Sequence, residues 1–270
     1  MRLAVVSDIH GNLAALDAVL ADIASLGVDR TVNLGDILSG PLWVNETAER
    51  LMALALPTIA GNHERQLLGV PRDRMSATDA HAASVLEAEA RAWLAGLPAT
   101  LQLSTEVFCC HGTPASDLEY FLETVTPDFA LAGAAGVRAA TLCEAAERAG
   151  AAMAGVPNAL ILCGHTHVAR VTRLPDGRLV VNPGSVGLPA YDDDHPYPHV
   201  VEAGSPHACY AVVERQVAGW SVATRRVAYD WESAARLADS RDRADWAHAL
   251  RTGCADRRVF GDRAVKSPAQ

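Results

Sequence analysis

Five short polar clusters, each closing an apolar, strand-like run, restrict this chain more than any other feature. "RLAVVSD" leads to Asp8 and His10, "RTVNLGD" to Asp36, and "LPTIAG" to Asn62, His63 and Glu64. Further along, "EVFCCHG" carries His111 and "LILCGHTH" carries His165 and His167. Helix-like stretches separate the first three runs. Leu13, Leu16, Val19, Leu20 and Ile23 recur at helical spacing before Gly27, and a second helix is expected from about Trp43 to Ala55. This βαβαβ order predicts a parallel sheet with right-handed crossovers. In open sheets of that kind the carboxyl ends of the strands face one crevice, so all five clusters are expected to meet there.

Gathering these side chains in one crevice is unfavourable unless something binds them, because a buried unpaired polar group costs about 1–3 kcal/mol. A divalent metal removes that cost, and mixed imidazole and carboxylate donors suit Mn, Fe, Zn or Ni. The alternation in "HTH" lets His165 and His167 point to one side of an extended segment. Asp8, His10, Asp36, Asn62, His111, His165 and His167 exceed the usual four-ligand site, which points to two ions with a carboxylate such as Asp36 between them. A paired centre of that kind stays net positive and suits an anionic phosphoryl group undergoing in-line displacement.

The ordered set "DIHGN", "GDILSGP", "GNHE", "HG" and "GHTH" resembles the calcineurin-like metallophosphoesterase superfamily, and "NPGSVGLP" is similar to its bacterial phosphodiesterase and dinucleoside-polyphosphate hydrolase branch. The matching motifs span about residues 2–189. The resemblance implies an α/β (α+β) fold, a four-layer α/β/β/α sandwich of two mixed sheets flanked by helices. It implies one metal on Asp8, His10, Asp36 and His167, and another on the bridging Asp36, Asn62, His111 and His165. His63 would protonate the leaving oxygen, with Glu64 orienting its ring. Histidine titrates near neutrality and needs a partner to fix its tautomer, which is consistent with that role. The implied activity is a dinuclear metal-dependent phosphohydrolase that uses a metal-bound hydroxide on a small phosphodiester or phosphoanhydride, a nucleotide or dinucleoside polyphosphate included. Mn or Fe are the first-choice ions, followed by Ni, Zn or Mg. The alternatives are a phosphomonoesterase or phosphoprotein phosphatase, and a non-catalytic scaffold on the same fold. A metal-dependent amide hydrolase is weaker, because its His-x-His pair belongs on the first strand of a barrel.

The remaining sequence is read as one domain over residues 1–270. A helix is expected from about Thr78 to Leu94, followed by a hairpin of "TLQLS" and "EVFCCHG". Residues 114–156 turn Ala-rich and are read as a helical insertion or cap that favours small substrates, with Tyr120 and Phe121 stacking on a base or filling a small core. "CYAVVERQVAGWSVATRRVAY" is expected to close a second, antiparallel sheet. Helix follows from Trp231 to about Arg251, and residues 262–270 read as a flexible tail. Asn62, His63, Arg65, and Gly184 and Ser185 of the "GSVG" turn are candidate substrate contacts. The polar stretch from Asp192 to His195 is read as a solvated loop. His81, His195, His199, His207 and His248 are read as surface or packing residues.

The net charge of −9 argues against a polymeric nucleic-acid or membrane partner. Six cysteines without a CxxC pair read as reduced core thiols. With no apolar stretch long enough for an export signal or a membrane span, a cytoplasmic protein is expected, with a homo-oligomer left open.

Overall fold

The computed structural model describes residues 1–130 and 135–256. In chain order its first half contains β1 (Arg2–Val6), α1 (Leu13–Ala24), β2 (Arg30–Asn33), α2 (Val44–Leu54), α3 (Asn62–Gly69), α4 (Ala77–Val85), α5 (Ala88–Ala95), β3 (Leu101–Gln102) and β4 (Val107–Cys109). The second half contains β5 (Glu123–Val125), β6 (Val137–Ala139), α6 (Leu142–Ala149), β7 (Leu160–Leu162), β8 (Arg170–Arg173) and β9 (Leu179–Asn182). It closes with β10 (Ala190–Asp193), β11 (His199–Glu202), β12 (Ala208–Gln216), β13 (Gly219–Val227), α7 (Trp231–Asp239) and α8 (Ala244–Thr252). None of the described helices is long and apolar enough to cross a membrane.

Two mixed sheets pack face to face, one in the order β13-β12-β1-β2 and the other β3-β4-β7-β9-β8. The alternation of side chains along each strand dictates the layering. In β1, Leu3 and Val5 join Ala211 and Val213 of β12, Leu160 and Leu162 of β7 and Val181 of β9 in an inter-sheet core. Ala4 and Val6 point the other way, into a core with Leu16 and Val19 of α1, Leu51 of α2 and Leu94 of α5. On the far side of the second sheet, Ile161 and Val180 meet Ala145 and Ala149 of α6 and Phe121. The result is the four-layer α/β/β/α sandwich.

Several expectations are corrected. The β12–β13 hairpin does not close a second sheet: β12 pairs antiparallel with β1, Leu3 opposite Val213, and so covers the edge of the first. "LPTIAG" forms only a single bridge between Asn33 and Thr58, because Pro57 has no N–H to donate and the chain turns at once into α3. The helix expected over 78–94 is two helices. Asn45 holds both broken ends, donating to the Val85 carbonyl and accepting from the Glu87 N–H. Trp231 to Arg251 likewise splits, with Asp242 at φ 57 in the connection.

Residues 114–156 are not mainly helical. Among the described residues of that segment, the β5–β6 ribbon and a short 3₁₀ turn precede α6, which spans only Leu142–Ala149. Thr141 and Glu144 form a capping box that starts α6 late, and Gly150 at φ 50 stops it. The Asp192–His195 stretch begins as strand, since β10 pairs with β11. The expected tail over 262–270 lies outside the described residues.

The buried inter-sheet position of Leu160 generates a stability prediction. Leu160→Ala is expected to lose about 2–5 kcal/mol in urea unfolding. Val171→Ala, at a side chain 45% exposed, is expected to stay within about 0.5 kcal/mol of wild type.

Candidate metal centre and active site

The strand-end loops run beside one another because backbone pairing continues past the strands. Asp8 N donates to the Gly35 carbonyl and His10 N to that of Asp36, which places the first two clusters side by side. Across the sandwich, Gly164 N donates to the His111 carbonyl, while Val186 N and Gly187 N donate to Ser7 and Asp8. A Cβ on Gly187 would collide with the Ile9 carbonyl, so only glycine allows this stitch between the sheets.

Five of the side chains brought together sit at left-handed backbone positions: Asp8, His10, Asp36, His165 and His167, with φ between 52° and 68°. Each such residue costs about 1–2 kcal/mol, and the loops hold them there nonetheless. Strain of this kind concentrates at functional sites.

The ligating atoms fall into two groups, Asp8 with His10 and His167, and Asp36 with His111 and His165, each within 4.8 Å. Asn62 adjoins the second, its Oδ1 3.2 Å from His111 Nε2. Backbone carbonyls fix the histidine tautomers, since a carbonyl can only accept. His10 Nδ1 donates to Ser39, His111 Nδ1 to Leu34 and His167 Nδ1 to Leu188, so each presents Nε2 to the centre. His165 does the reverse, donating Nε2–H to Leu118. This support by the remote nitrogen is characteristic of metal-ligating histidines.

Two observations show that the donor set fits metal. His10 Nε2 and His167 Nε2 lie 3.1 Å apart, although the Nδ1 of each already faces a backbone carbonyl. Asp8 Oδ2 is buried without a hydrogen-bond partner. A cation shared by these atoms relieves both conflicts.

The electrostatics divide the histidines. Burial disfavours charge on His10, His111 and His165, yet the Asp36 carboxylate, 3.0 Å away, raises His111 to about 10. His10 falls to about 3 and His165 to about 4, because burial and neighbouring histidines act together. Burial opposes the ionised form of Asp8 and Asp36, but the surrounding imidazoles win and lower both, Asp36 further than Asp8.

His63 stands at the edge of this centre, and its partner corrects the expected one. Its Nδ1 lies 2.8 Å from Asp79 Oδ1, while Glu64 does not touch the ring. Instead Glu64 is buried and accepts from the backbone N–H groups of Gly61, Asp36 and Ile37, tying the start of α3 to the loop after β2. Its side chain is committed to these N–H groups because it sits in the first turn of α3. Burial works against the His63 imidazolium, but Asp36 and Asp79 raise it to about 9. Asp79 also accepts from the Ser39 and Ser76 hydroxyls. The sequence around Asp79, "SATD", reads as a helix cap, and Ser76 does cap α4. That local role hides the tertiary one.

These groups open onto a cavity of about 850 Å³ lined by His10, Asp36, Asn62, His63, His165 and His167, with Asp8 and His111 buried beneath. Arg65 does not line it and pairs through two hydrogen bonds with Asp117. The "GSVG" turn spends its amides within the fold: Gly184 N donates to Asn182 Oδ1, and Val186 N and Gly187 N to the Ser7 and Asp8 carbonyls, while neither Gly184 nor Ser185 lines this cavity. Tyr120 lines the cavity, whereas Phe121 is core. His199 is fully buried in packing.

Residues 1–203 match the calcineurin-like phosphoesterase superfamily domain. The chain belongs to that superfamily. A metallophosphoesterase structure from Sphaerobacter thermophilus is similar at 25% identity and TM-score 0.63, covering 93% of this chain and 98% of that one. A hypothetical protein from Pyrococcus horikoshii OT3 shares the fold at 21% identity and TM-score 0.66, over 93% of this chain and 98% of its own. An uncharacterized protein of Methanocaldococcus jannaschii is 43% identical over 67 residues, which span 25% of this chain and 28% of that relative. This metallophosphoesterase is by its family a phosphoric ester hydrolase with groups of residues suited to metal.

The two carboxylates beside His63 are expected to behave differently. Asp79→Asn should lower kcat by roughly 10²-fold, the lower end of what a positioned acid contributes, with metal content unchanged. Glu64→Gln should appear mainly as about 1–3 kcal/mol of lost stability, because an amide cannot accept all three N–H groups. Steady-state kinetics with urea unfolding of both variants separates these outcomes.

Proposed function

We propose that this metallophosphoesterase is a dinuclear enzyme that hydrolyses a small phosphodiester or phosphoanhydride. The observation that carries the reading is the pair of ligand groups lying side by side beneath one cavity. Asp8, His10 and His167 would hold one ion, and His111, His165 and Asn62 the other, with Asp36 available to both. Mn or Fe suits this mixture of imidazole and carboxylate best. When bound, the ions supply an activated water and positive charge for the phosphoryl oxygens.

The chain's own residues do the rest. Asp79 accepts a hydrogen bond from His63 Nδ1–H, which leaves Nε2 free to act. The imidazolium form, which Asp79 favours by accepting from Nδ1–H, donates the Nε2 proton to the departing oxygen. Asn62 and His63, both on the cavity wall, meet the phosphoryl oxygens. A volume of about 850 Å³ accommodates a nucleotide-sized ligand, and dinucleoside polyphosphates fall within the class.

The test strips metal with chelator and restores Mn, Fe, Ni, Zn or Mg singly. Bis(p-nitrophenyl) phosphate, p-nitrophenyl phosphate and diadenosine tetraphosphate serve as substrates. Turnover is expected to return with Mn or Fe, to favour the diester or anhydride, and to fall roughly 10²–10⁴-fold in His63→Ala. Metal uptake without turnover of any substrate would contradict the proposal.

A further inference from the structure

Two tyrosines on the cavity wall and a buried histidine form a chain against the candidate ligand histidines, and the proposed reaction gives them no part. Tyr191 on β10 packs its ring edge-to-face against His167, with centroids 4.7 Å apart. Its hydroxyl donates to the backbone carbonyl of His165 at 3.2 Å. One side chain therefore touches a ligand from each group. Tyr120, just before β5, packs its ring against His165 at 5.0 Å. The Tyr120 hydroxyl lies 2.7 Å from that of Tyr191 and 2.9 Å from His199 Nε2.

We infer that Tyr191 is a positioning residue for both metal sites, holding the strained "HTH" loop in its ligating conformation. The inference rests on the dinuclear reading above. His165 and His167 both occupy left-handed backbone positions, at φ 68° and 56°. The carbonyl of His165 belongs to the peptide that joins it to Thr166, so a donor on that oxygen fixes the rotation that presents the His165 ring. The ring contact with His167 restrains the second ligand independently. Tyr191 thus acts on one site through its hydroxyl and on the other through its ring.

Proton counting assigns Tyr120 a different part. His199 Nδ1 donates to the Tyr197 carbonyl, which leaves Nε2 to accept the Tyr120 hydroxyl hydrogen. The Tyr191 hydrogen is then shared between the Tyr120 oxygen and the His165 carbonyl. Removing the Tyr120 hydroxyl commits that hydrogen to His165. Removing the Tyr191 hydroxyl leaves the carbonyl without a donor.

The test is equilibrium Mn²⁺ binding to the full chain, followed by the electron paramagnetic resonance signal of free Mn²⁺. His111→Ala identifies which affinity class belongs to the His165 site, and the melting temperature of each metal-free variant reports folding. Tyr191→Phe is expected to weaken only the class lost in His111→Ala, by about tenfold or more, the effect typical of outer partners of metal ligands. Tyr191→Leu should weaken both classes, and Tyr120→Phe should leave the His165 class intact. Wild-type affinity at both sites in Tyr191→Phe, or equal losses in Tyr191→Phe and Tyr120→Phe, would overturn the inference. A wild-type capacity below two ions would overturn the dinuclear reading itself, and the inference with it.

Discussion

Asp8 and Asp36 are near enough to repel each other and have almost no access to water, and the architecture around them answers the need to offset their charge. Buried carboxylates persist only when paired, hydrogen-bonded or bound to metal. Within the chain itself, His111 and His63 supply positive charge: Asp36 and Asp8 raise His111, and Asp36 with Asp79 raises His63. His10 and His165 stay neutral and keep a lone pair for a cation. A set of donors that is only partly compensated internally is primed to take up metal.

The fold contributes the rigidity that this arrangement requires. Every donor but Asn62, which opens α3, stands on a loop that leaves a strand, and backbone pairing ties these loops to their neighbours. Glu64 ties the loop after β2 to α3, and the stitch at Gly187 ties the second sheet to Asp8. Five left-handed residues are thereby held in a conformation that isolated loops would abandon. The inter-sheet core of Leu3, Val5, Leu160 and Leu162 is the platform for all of them.

The donor set was legible in the sequence because metal chemistry demands particular side chains at strand ends. Asp8, His10, Asp36, Asn62, His111, His165 and His167 could all be named as candidate donors from order and type, whereas the layered fold followed from the family resemblance those motifs carry. What escaped depends on tertiary contact. Asp79 reads locally as part of a helix cap, while Glu64 follows His63 directly yet points into the backbone of two loops. Tyr120 and Tyr191 are separated by 71 residues and meet only through folding. The Ala-rich insertion misled for a related reason. Alanine favours helix as an intrinsic propensity, but pairing of β5 with β6 and the late cap at Thr141 decided the segment.

The central claim is that two ions share this centre, and anomalous diffraction from crystals grown with Mn²⁺ tests it most directly. Two Mn peaks are expected, one bounded by Asp8, His10 and His167 and the other by Asn62, His111 and His165, with Asp36 touching both. A single peak, or peaks away from these residues, would contradict it.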